Sequence, residues 1–254
     1  VKVLLNIADP AELDGLDPAQ CDGIGLVRTE HLFHDGHGLP DEATQFDVYR
    51  RIVRWGAGRP ITIRTLDAGG DKPIPGLTID GETNPFLGVR GIRLSLARPD
   101  VFRVQLRALA RAATEGPLKI MLPMVAVPAE LEAARALLDD VIAELTREGL
   151  AHRRPALGIM VEVPAVAVTA ERFDADFYSI GSNDLTQYTL AAARDITAVA
   201  HLADAGDPSV IALIAMTVAA AERRGVEVSL CGDAGADPAI VPKLLGAGLR
   251  SVSV

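Results

Sequence analysis

The chain has 254 residues, of which 49% are apolar, 23% are charged and 4% are aromatic, a composition typical of a globular protein with one sizeable core. Its net charge of −9 argues against nucleic acid or an anionic membrane as a partner, so an anionic ligand would need a local cluster of cations. The two cysteines form no disulfide framework and favour a reduced, cytoplasmic setting. No apolar run approaches the ~18–20 residues of a membrane span.

Short apolar runs alternate with helix-length segments along the whole chain. The runs predict eight buried strands, at Val1–Ile7, Gly25–Arg28, Ile61–Asp67, Leu118–Met124, Leu157–Val163, Phe177–Gly181, Val226–Gly232 and Arg250–Val254. The longer segments predict helices, among them Asp41–Trp55, Asp100–Glu115, Pro128–Gly149 and Asp207–Arg224. Residues typical of helix ends mark the last of these, with Asp207 as an N-cap and Gly225 after the final turn.

This alternation predicts a parallel sheet with helical crossovers. Eight strands in about 250 residues is the size of a (β/α)8 TIM barrel, so we predict an α/β fold with one barrel domain over residues 1–254. The alternative is an open doubly wound sheet, which usually has a glycine-rich turn after its first strand, whereas here the first strand is followed by Ala8 and Asp9. Because the sequence stops at Val254, in the eighth strand, the barrel is expected to lack its final helix.

Polar residues capable of chemistry follow the predicted strands at their carboxyl ends. They are Asn6, Arg28, Arg64, Glu162, Asn183, Asp184 and Cys231. Catalytic residues of a TIM barrel collect at this end, so the bias predicts a working site there. Glu162 and Asp184 end neighbouring strands, and such a pair suits Mg²⁺, which takes few protein oxygens and keeps positions for substrate oxygens. The alternative is that both acids pair with arginines.

Two arginines, Arg28 and Arg64, end predicted strands, and two more, Arg90 and Arg194, are considered together with them. An arginine that caps an apolar strand needs a partner, because a buried guanidinium is costly when it is unpaired. Its planar fork matches the oxygens of phosphate and carboxylate two at a time. A single arginine could instead pair with a nearby acid such as Glu30 or Asp67. The four together favour an anion site.

Cys231 ends the seventh predicted strand beside a flexible Gly-Asp-Ala-Gly turn. A cysteine in this position is most often a small buried hydrophobic residue. Its place at a strand end also makes the role of a proton donor possible. The spacing alone favours packing over chemistry.

The five histidines lie in polar, loop-like segments, at positions 31, 34, 37, 152 and 201. His31 and His34 have a spacing that could suit a metal, but no third ligand follows them in sequence. We therefore predict a solvated loop at this position and not a metal site.

Six segments are distinctive in their residues and in their order along the chain: GIGLVRTEHLF, IRTLDAGGDKPIP, NPFLGVRGIR, IMVEVPA, FYSIGSNDLTQYTLAAAR and SLCGDAG. Together they resemble the phosphoenolpyruvate-binding barrel of the enzyme I family of the bacterial sugar phosphotransferase system. The resemblance covers essentially the whole chain. Pyruvate phosphate dikinase and phosphoenolpyruvate synthase are relatives with similar RTEHLF and GVRG segments, but the segment after Arg64 is more similar to enzyme I.

The resemblance implies a role for each matching arginine. Arg28 and Arg64 match the arginines that hold the phosphate of phosphoenolpyruvate. Arg194 and Asn183 match residues that contact the substrate, and Arg90 matches a further active-site arginine to which a catalytic role is carried over. These roles follow from the family and not from the spacing.

The resemblance also implies a metal site and a proton donor. Glu162 and Asp184 match the acids that bind Mg²⁺, and Asp184 lies at the substrate as well. Cys231 matches the cysteine that protonates the enolate carbon to give pyruvate. The chain departs from the family at Asp233, where glutamate is usual, and this shorter side chain puts the positioning of Cys231 in question.

The family passes the phosphoryl group to a histidine on a separate amino-terminal domain and then to the small carrier HPr. None of the five histidines of this chain lies in the motif of that domain. The resemblance therefore implies a phosphoenolpyruvate-binding domain that works with a separate phosphohistidine domain, as a homodimer in the cytoplasm. Two alternatives stay open: the barrel of a dikinase or synthase, and a module that senses phosphoenolpyruvate without turning it over, for which Cys231 would be superfluous.

Overall fold

The structure is a computed structural model that describes residues 1–33, 38–70, 74–79 and 81–254. Its strands are β1 (Lys2–Ile7), β2 (Ile24–Val27), β3 (Ile61–Arg64), β4 (Leu118–Leu122), β5 (Ala156–Val161), β6 (Phe177–Gly181), β7 (Glu227–Cys231) and β8 (Ser251–Ser253). They close into one parallel barrel in chain order, because β1 pairs with both β2 and β8. The predicted TIM barrel is confirmed, and the open-sheet alternative is wrong.

Several strands are shorter than the apolar runs that predicted them. The third run extended to Asp67, but β3 ends at Arg64, and the fourth extended to Met124, but β4 ends at Leu122. Leu66 and Met124 are buried nonetheless, at 5% and 2% exposure. The runs were therefore too long because the first loop residues at the barrel mouth are buried, and burial is what an apolar run records.

Helices follow the strands and cover the outside of the barrel. They are α1 (Glu42–Trp55), α2 (Ile92–Ala97), α3 (Pro99–Ala112), α4 (Pro128–Arg147), α5 (Pro164–Val168), α6 (Ser182–Leu190), α7 (Thr197–Ala200), α8 (Pro208–Arg224) and α9 (Val241–Gly246). The four long predicted helices are present as α1, α3, α4 and α8. As expected, the described residues contain no helix after β8.

Local sequence signals explain the ends of the long helices. The Asp41 side chain accepts a hydrogen bond from the Thr44 amide at the start of α1, and Asp207 does the same for Ser209 at the start of α8. Each bond satisfies an amide that the first helical turn leaves unpaired. Helix α8 ends at Gly225, whose φ of +66° is a left-handed conformation that glycine adopts at little cost.

Two apolar clusters hold the barrel together. The larger one lies between the strands and the surrounding helices and includes buried residues from every long helix. The smaller one fills the barrel interior with Leu26, Met121, Met160, Phe177 and Cys231. The interior is thus packed with side chains, as in other TIM barrels, and a ligand can enter only at its two ends.

Among the residues that the structure describes, none of the helices combines the length and the apolar character needed to cross a membrane.

Candidate active site at the carboxyl end of the barrel

A pocket of about 300 Å³ opens at the carboxyl ends of the strands. Hereafter the carboxyl-end pocket, it is lined by Leu26, Arg28, Arg64, Met160, Glu162, Gly181, Asn183, Asp184, Arg194, Cys231, Gly232 and Asp233. Of the sequence-predicted site residues, Arg90 and Asn6 do not lie on its wall, and the others do. The residues come from β2, β3, β5, β6 and β7 and from the loops that follow them, so only closure of the barrel brings them together.

Arg64 is the last residue of β3 and is 5% exposed. Its guanidinium contacts Glu30 at 3.0 Å and Asp67 at 3.2 Å, so the pairing that the sequence left open does occur, with both acids. The Nε–H is buried and has no hydrogen-bond partner among the residues that the structure describes. Since a buried unpaired donor is costly, this atom is suited to an anionic ligand in the pocket.

Arg28 follows β2, lines the carboxyl-end pocket and is half-buried. Its backbone amide bonds to Ile7, but within the described parts of the chain its guanidinium makes no hydrogen bond or ion pair. The charge of Arg28 is therefore available to a ligand, whereas that of Arg64 is already partly balanced.

Arg90 lies behind the pocket wall at 1% exposure. Its guanidinium contacts Asp67 at 2.8 Å and Asp184 at 3.2 Å, and it also donates to the hydroxyl of Tyr188 at 3.1 Å. The structure thus places Arg90 between two carboxylates and away from the space where a ligand fits. From this position it can hold Asp184 in place at the pocket.

Glu162 follows β5 and is 1% exposed. Its Oε1 accepts a hydrogen bond of 2.6 Å from the Met124 amide. Met124 has a φ of +57°, a left-handed conformation that is strained for a residue other than glycine and that typically occurs at functional sites. Gly181 lies opposite, where an added Cβ would come within 2.8 Å of Glu162 Oε2. The backbone is shaped around this carboxylate.

Burial and the nearby carboxylates of Asp184 and Asp67 together raise the pKa of Glu162 to about 8, although Arg64 and Arg90 lower it. A carboxyl group in this state gains from a bound cation. In the described part of the chain, no three His, Cys, Asp or Glu residues form a metal cluster. Two carboxylates are nevertheless what Mg²⁺ commonly takes when substrate and water complete its octahedron. The donor set fits this ion.

Cys231 is the last residue of β7 and is 2% exposed. Burial raises the pKa of its thiol to about 11, although a hydrogen bond from Ser179 lowers it. The thiol therefore keeps its proton at neutral pH. Gly232 follows with a φ of +111°, and a Cβ there would lie 2.4 Å from Ser182 Oγ. The chain therefore turns directly after the thiol, where Gly232 lies close to Ser182.

Asn183 and Asp233 join the loop after β6 to the loop after β7. The Asn183 amide nitrogen donates to Asp233 Oδ2 at 3.2 Å, and the Asp233 backbone amide donates to Asn183 Oδ1 at 3.2 Å. The shorter aspartate therefore reaches its neighbour, and this contact ties the turn after Cys231 to Asn183.

Arg194 completes the rim with a side chain that is 32% exposed, and its Nη1 lies 3.9 Å from Asp184. With Arg28 and Arg64 it gives the pocket three cations. Three carboxylates also line it, those of Glu162, Asp184 and Asp233. The formal charge of the wall is thus zero, and a bound divalent cation would make the pocket suitable for an anion in an otherwise acidic chain.

Some contributors to the site could not be chosen from the sequence. The Met124 amide that holds Glu162 is a backbone group, and no residue type signals it. Tyr188, whose pKa is raised to about 12 mainly by burial, and Gln187, whose side chain accepts from the Arg194 amide at 3.2 Å, support the site from α6. These two residues could have been selected from the sequence, because both are polar and both lie in the distinctive SNDLTQYT segment.

The histidines at positions 31, 152 and 201, which the structure describes, take no part in the pocket wall. His31 lies in a short 3-10 helix, Glu30–Phe33, and not in a loop, so that part of the prediction is wrong. His34 and His37 lie outside the described residues, as do residues 71–73 of the IRTLDAGGDKPIP segment.

Comparison with known proteins shows which family this chain matches. Along residues 1–254 the chain matches the sequence profile of the PEP-utilising enzymes, PEP-binding domain. Similar curated proteins include the phosphoenolpyruvate-protein phosphotransferases of Latilactobacillus sakei, 43% identical over 99% of this chain, and of Geobacillus stearothermophilus, 44% identical over 100%. That of Enterococcus faecalis is 41% identical over 100%. The chain spans only 44% of the length of the first two and 45% of the third.

Solved structures show the same fold at low identity. A HpcH/HpaI aldolase/citrate lyase family protein from Burkholderia cenocepacia superposes with a TM-score of 0.59 at 18% identity, covering 100% of this chain and 87% of that one. A malate synthase of Haloferax volcanii, in complex with magnesium and glyoxylate, gives a TM-score of 0.56 at 12% identity, covering 99% and 70%. These similarities support the barrel and carry nothing about the reaction.

Proposed function

Because the chain belongs to the family of PEP-utilising enzymes and matches their PEP-binding domain throughout, we propose that the carboxyl-end pocket binds phosphoenolpyruvate and releases pyruvate. In this proposal the phosphoryl group passes to a histidine on a separate domain and then to HPr, as in an enzyme I-type phosphotransferase. The single observation that supports it best is the meeting of three arginines, the carboxylates of Glu162 and Asp184, and the thiol of Cys231 in one pocket.

The arginines are suited to the phosphate. Among the described residues, the Arg28 guanidinium has no hydrogen-bond or ion-pair partner, and the buried Nε–H of Arg64 has none either. Arg194, on the rim, can approach the carboxylate end of the same ligand. Fixed cations around a phosphoryl group spread its charge as it transfers, which is the main source of rate in such reactions. The arrangement therefore serves binding and transfer together.

Glu162 and Asp184 are the residues that would hold Mg²⁺. When bound, this ion supplies positive charge to a ligand that carries about three negative charges. The chain contributes the orientation: the Met124 amide fixes Glu162, and Arg90 fixes Asp184 from behind. We propose for Arg90 this positioning role and no direct contact with substrate.

Cys231 is the proposed proton donor. Transfer of the phosphoryl group leaves an enolate, whose methylene carbon must take a proton to become the methyl group of pyruvate. The thiol lines the pocket and is protonated at neutral pH, because burial raises its pKa to about 11. A module that only senses phosphoenolpyruvate has no use for this group, and the relatives named above are all phosphotransferases. Both observations favour the phosphotransferase over the two alternatives.

The setting and the partners belong to the same proposal. The reaction requires an acceptor histidine, and none of the histidines that the structure describes, at positions 31, 152 and 201, lines the pocket. With phosphoenolpyruvate and Mg²⁺ alone, the chain should therefore release pyruvate no faster than buffer. Addition of a histidine-bearing domain should start transfer, slowly, because an untethered encounter lacks the effective concentration of a linked domain. A homodimer in the cytoplasm is the proposed setting.

Calorimetry tests the ligand and the metal together. Phosphoenolpyruvate should bind the wild-type chain much more tightly with Mg²⁺ than without it. Glu162→Gln should weaken the Mg²⁺-dependent binding by more than ~100-fold, since even residues that only orient a metal ligand are worth ~10–100-fold. Glu132→Gln removes the same charge from an exposed position on α4 and should change nothing. Binding that is equal with and without Mg²⁺ in all three proteins would falsify the proposed metal site.

A further inference from the structure

Two serines connect Cys231 with the other end of the barrel. The register of β6 and β7 places Ser179 beside Ser229, one pleat below the thiol. Ser229 Oγ donates a hydrogen bond to Ser179 Oγ at 3.4 Å, and Ser179 Oγ donates one to Cys231 Sγ at 3.5 Å. We call Ser179 and Ser229 the hydroxyl file. It reaches the thiol from the barrel interior and not from the carboxyl-end pocket.

The hydroxyl file ends at a second cavity. This amino-end cavity, of about 220 Å³, lies at the amino ends of the strands, and its wall includes Ser229 together with Lys119 and Glu227. Ser179 is fully buried, whereas Ser229 is partly exposed. Leu26, Met121, Met160 and Phe177 pack with Cys231 in the interior. The two hydroxyls form a polar line past this packing, with the partly exposed Ser229 at one end and the thiol at the other.

We propose that the hydroxyl file returns a proton to Cys231 from water in the amino-end cavity while the ligand still fills the carboxyl-end pocket. This inference rests on the proposed function, in which Cys231 gives its proton to the enolate carbon. A ligand in the pocket covers the exposed side of the thiol, which is only 2% exposed even in the open pocket. Without a second route, the thiolate would wait for product release.

The step balances with groups that the chain already holds. The S–H bond of Cys231 breaks as a C–H bond forms on the enolate carbon, which leaves a thiolate. The thiolate takes the proton of Ser179, Ser179 takes that of Ser229, and Ser229 takes one from water. The hydroxide that remains is neutralised by bulk solvent. Each hydroxyl can donate one hydrogen bond and accept another, so both return to their first state. Neither serine touches substrate, and both are positioning residues.

Hydrogen exchange into pyruvate tests this route on the chain itself. In D₂O with Mg²⁺ and pyruvate, at a pH high enough to form some Cys231 thiolate, the reverse step lets this thiolate take a proton from the bound methyl group and give one back. If the thiol first exchanges through the hydroxyl file, deuterium enters pyruvate, and one pyruvate molecule takes up more than one deuteron each time it binds. If no route exists, the same proton returns to the carbon. Proton NMR and mass spectrometry follow the total exchange and the pattern.

Ser179→Ala and Ser229→Ala should each slow deuterium entry by about tenfold, a part of the ~10²–10⁴ that a positioned proton donor contributes. The first pyruvate to exchange should carry one deuteron in these variants and several in the wild type. Ser253→Ala is the matched control, because it removes a buried hydroxyl on β8 that donates to the Leu5 carbonyl and not to the hydroxyl file. Ser229→Thr keeps the hydroxyl and should retain the wild-type pattern, which makes the test decisive even if one alanine variant fails to fold.

The outcomes separate this inference from the proposed function. Exchange that depends on Cys231 but stays fast and multiple in both serine-to-alanine variants would overturn the hydroxyl file and leave the proposed function intact. Exchange that is absent in the wild type, or unchanged in Cys231→Ala, would contradict both, because the thiol would then not act on the carbon.

Discussion

The two ends of this barrel carry cavities of similar size and very different charge arrangements. At the carboxyl end, Arg64, Arg90 and their acid partners form ion pairs whose side chains are all less than 10% exposed. At the amino end, Lys119 pairs with Glu227, with side chains 25% and 65% exposed. Charges near water interact weakly, whereas buried charges interact strongly but lose their hydration. Of these two sets of ion pairs, the one at the carboxyl end is buried and has lost its hydration. Charged side chains that are buried despite this loss are typical of a binding site.

The largest contrast between the two ends should appear in turnover. With a histidine-bearing domain of a relative supplied, Cys231→Ala should lose at least a hundredfold in pyruvate formation, within the ~10²–10⁴ of a positioned acid. Its affinity for phosphoenolpyruvate should stay within a few-fold, because protonation follows binding and transfer. Ser251→Ala removes a group of similar size from the amino-end cavity and should turn over normally. Wild-type turnover in Cys231→Ala would make the cysteine a packing residue.

The second contrast concerns stability. Arg90→Ala leaves Asp67 and Asp184 buried without their shared partner and should reduce the free energy of unfolding by about 3–5 kcal/mol. Lys119→Ala breaks the exposed pair at the amino end and a contact of 5.2 Å with the Phe177 ring, and should cost less than about 2 kcal/mol. Urea unfolding followed by circular dichroism measures both. Equal losses would mean that the buried network is no more dependent on its charges than the exposed pair.

A smaller contrast should appear in cysteine reactivity. Cys21 lies in the loop before β2, at the amino end, and is partly exposed. Because burial raises the pKa of Cys231 to about 11, its thiol stays protonated at pH 8 and becomes a thiolate only as the pH rises towards that value. Iodoacetamide should therefore label Cys231 at least ~tenfold more slowly than Cys21 at pH 8, as peptide mass spectrometry can measure. Equal labelling would show that the pocket does not keep this thiol protonated.

The barrel could be predicted from the sequence because the residue types alone show where strands and helices alternate. Apolar runs such as Phe177–Gly181 alternate with capped helices such as α8, and parallel strands joined in this way have few ways to pack. Residues at strand ends, such as Glu162 and Cys231, could be chosen for the same reason. The short helices α2, α5, α7 and α9 were not predicted, since their few residues show no clear helical period.

Whether an arginine lines the pocket or lies behind its wall could not be predicted from the sequence. Arg64 and Arg90 both follow apolar segments, yet Arg64 lines the pocket and Arg90 lies behind it. Which one faces the ligand depends on the acids that distant loops bring near, and on the left-handed backbone at Met124. Tertiary contacts of this kind leave no local pattern. The hydroxyl file has the same origin, because Ser179 and Ser229 meet only through the register of β6 with β7.

A crystal structure of the chain with phosphoenolpyruvate and Mg²⁺ tests the central claim most directly, since it asks which end of the barrel is the site. We predict the phosphate beside Arg28 and Arg64, a metal bound by Glu162 and Asp184, and the methylene carbon facing Cys231 Sγ. An anion bound among the lysines of the amino-end cavity, with an empty carboxyl-end pocket at saturating ligand, would contradict the account.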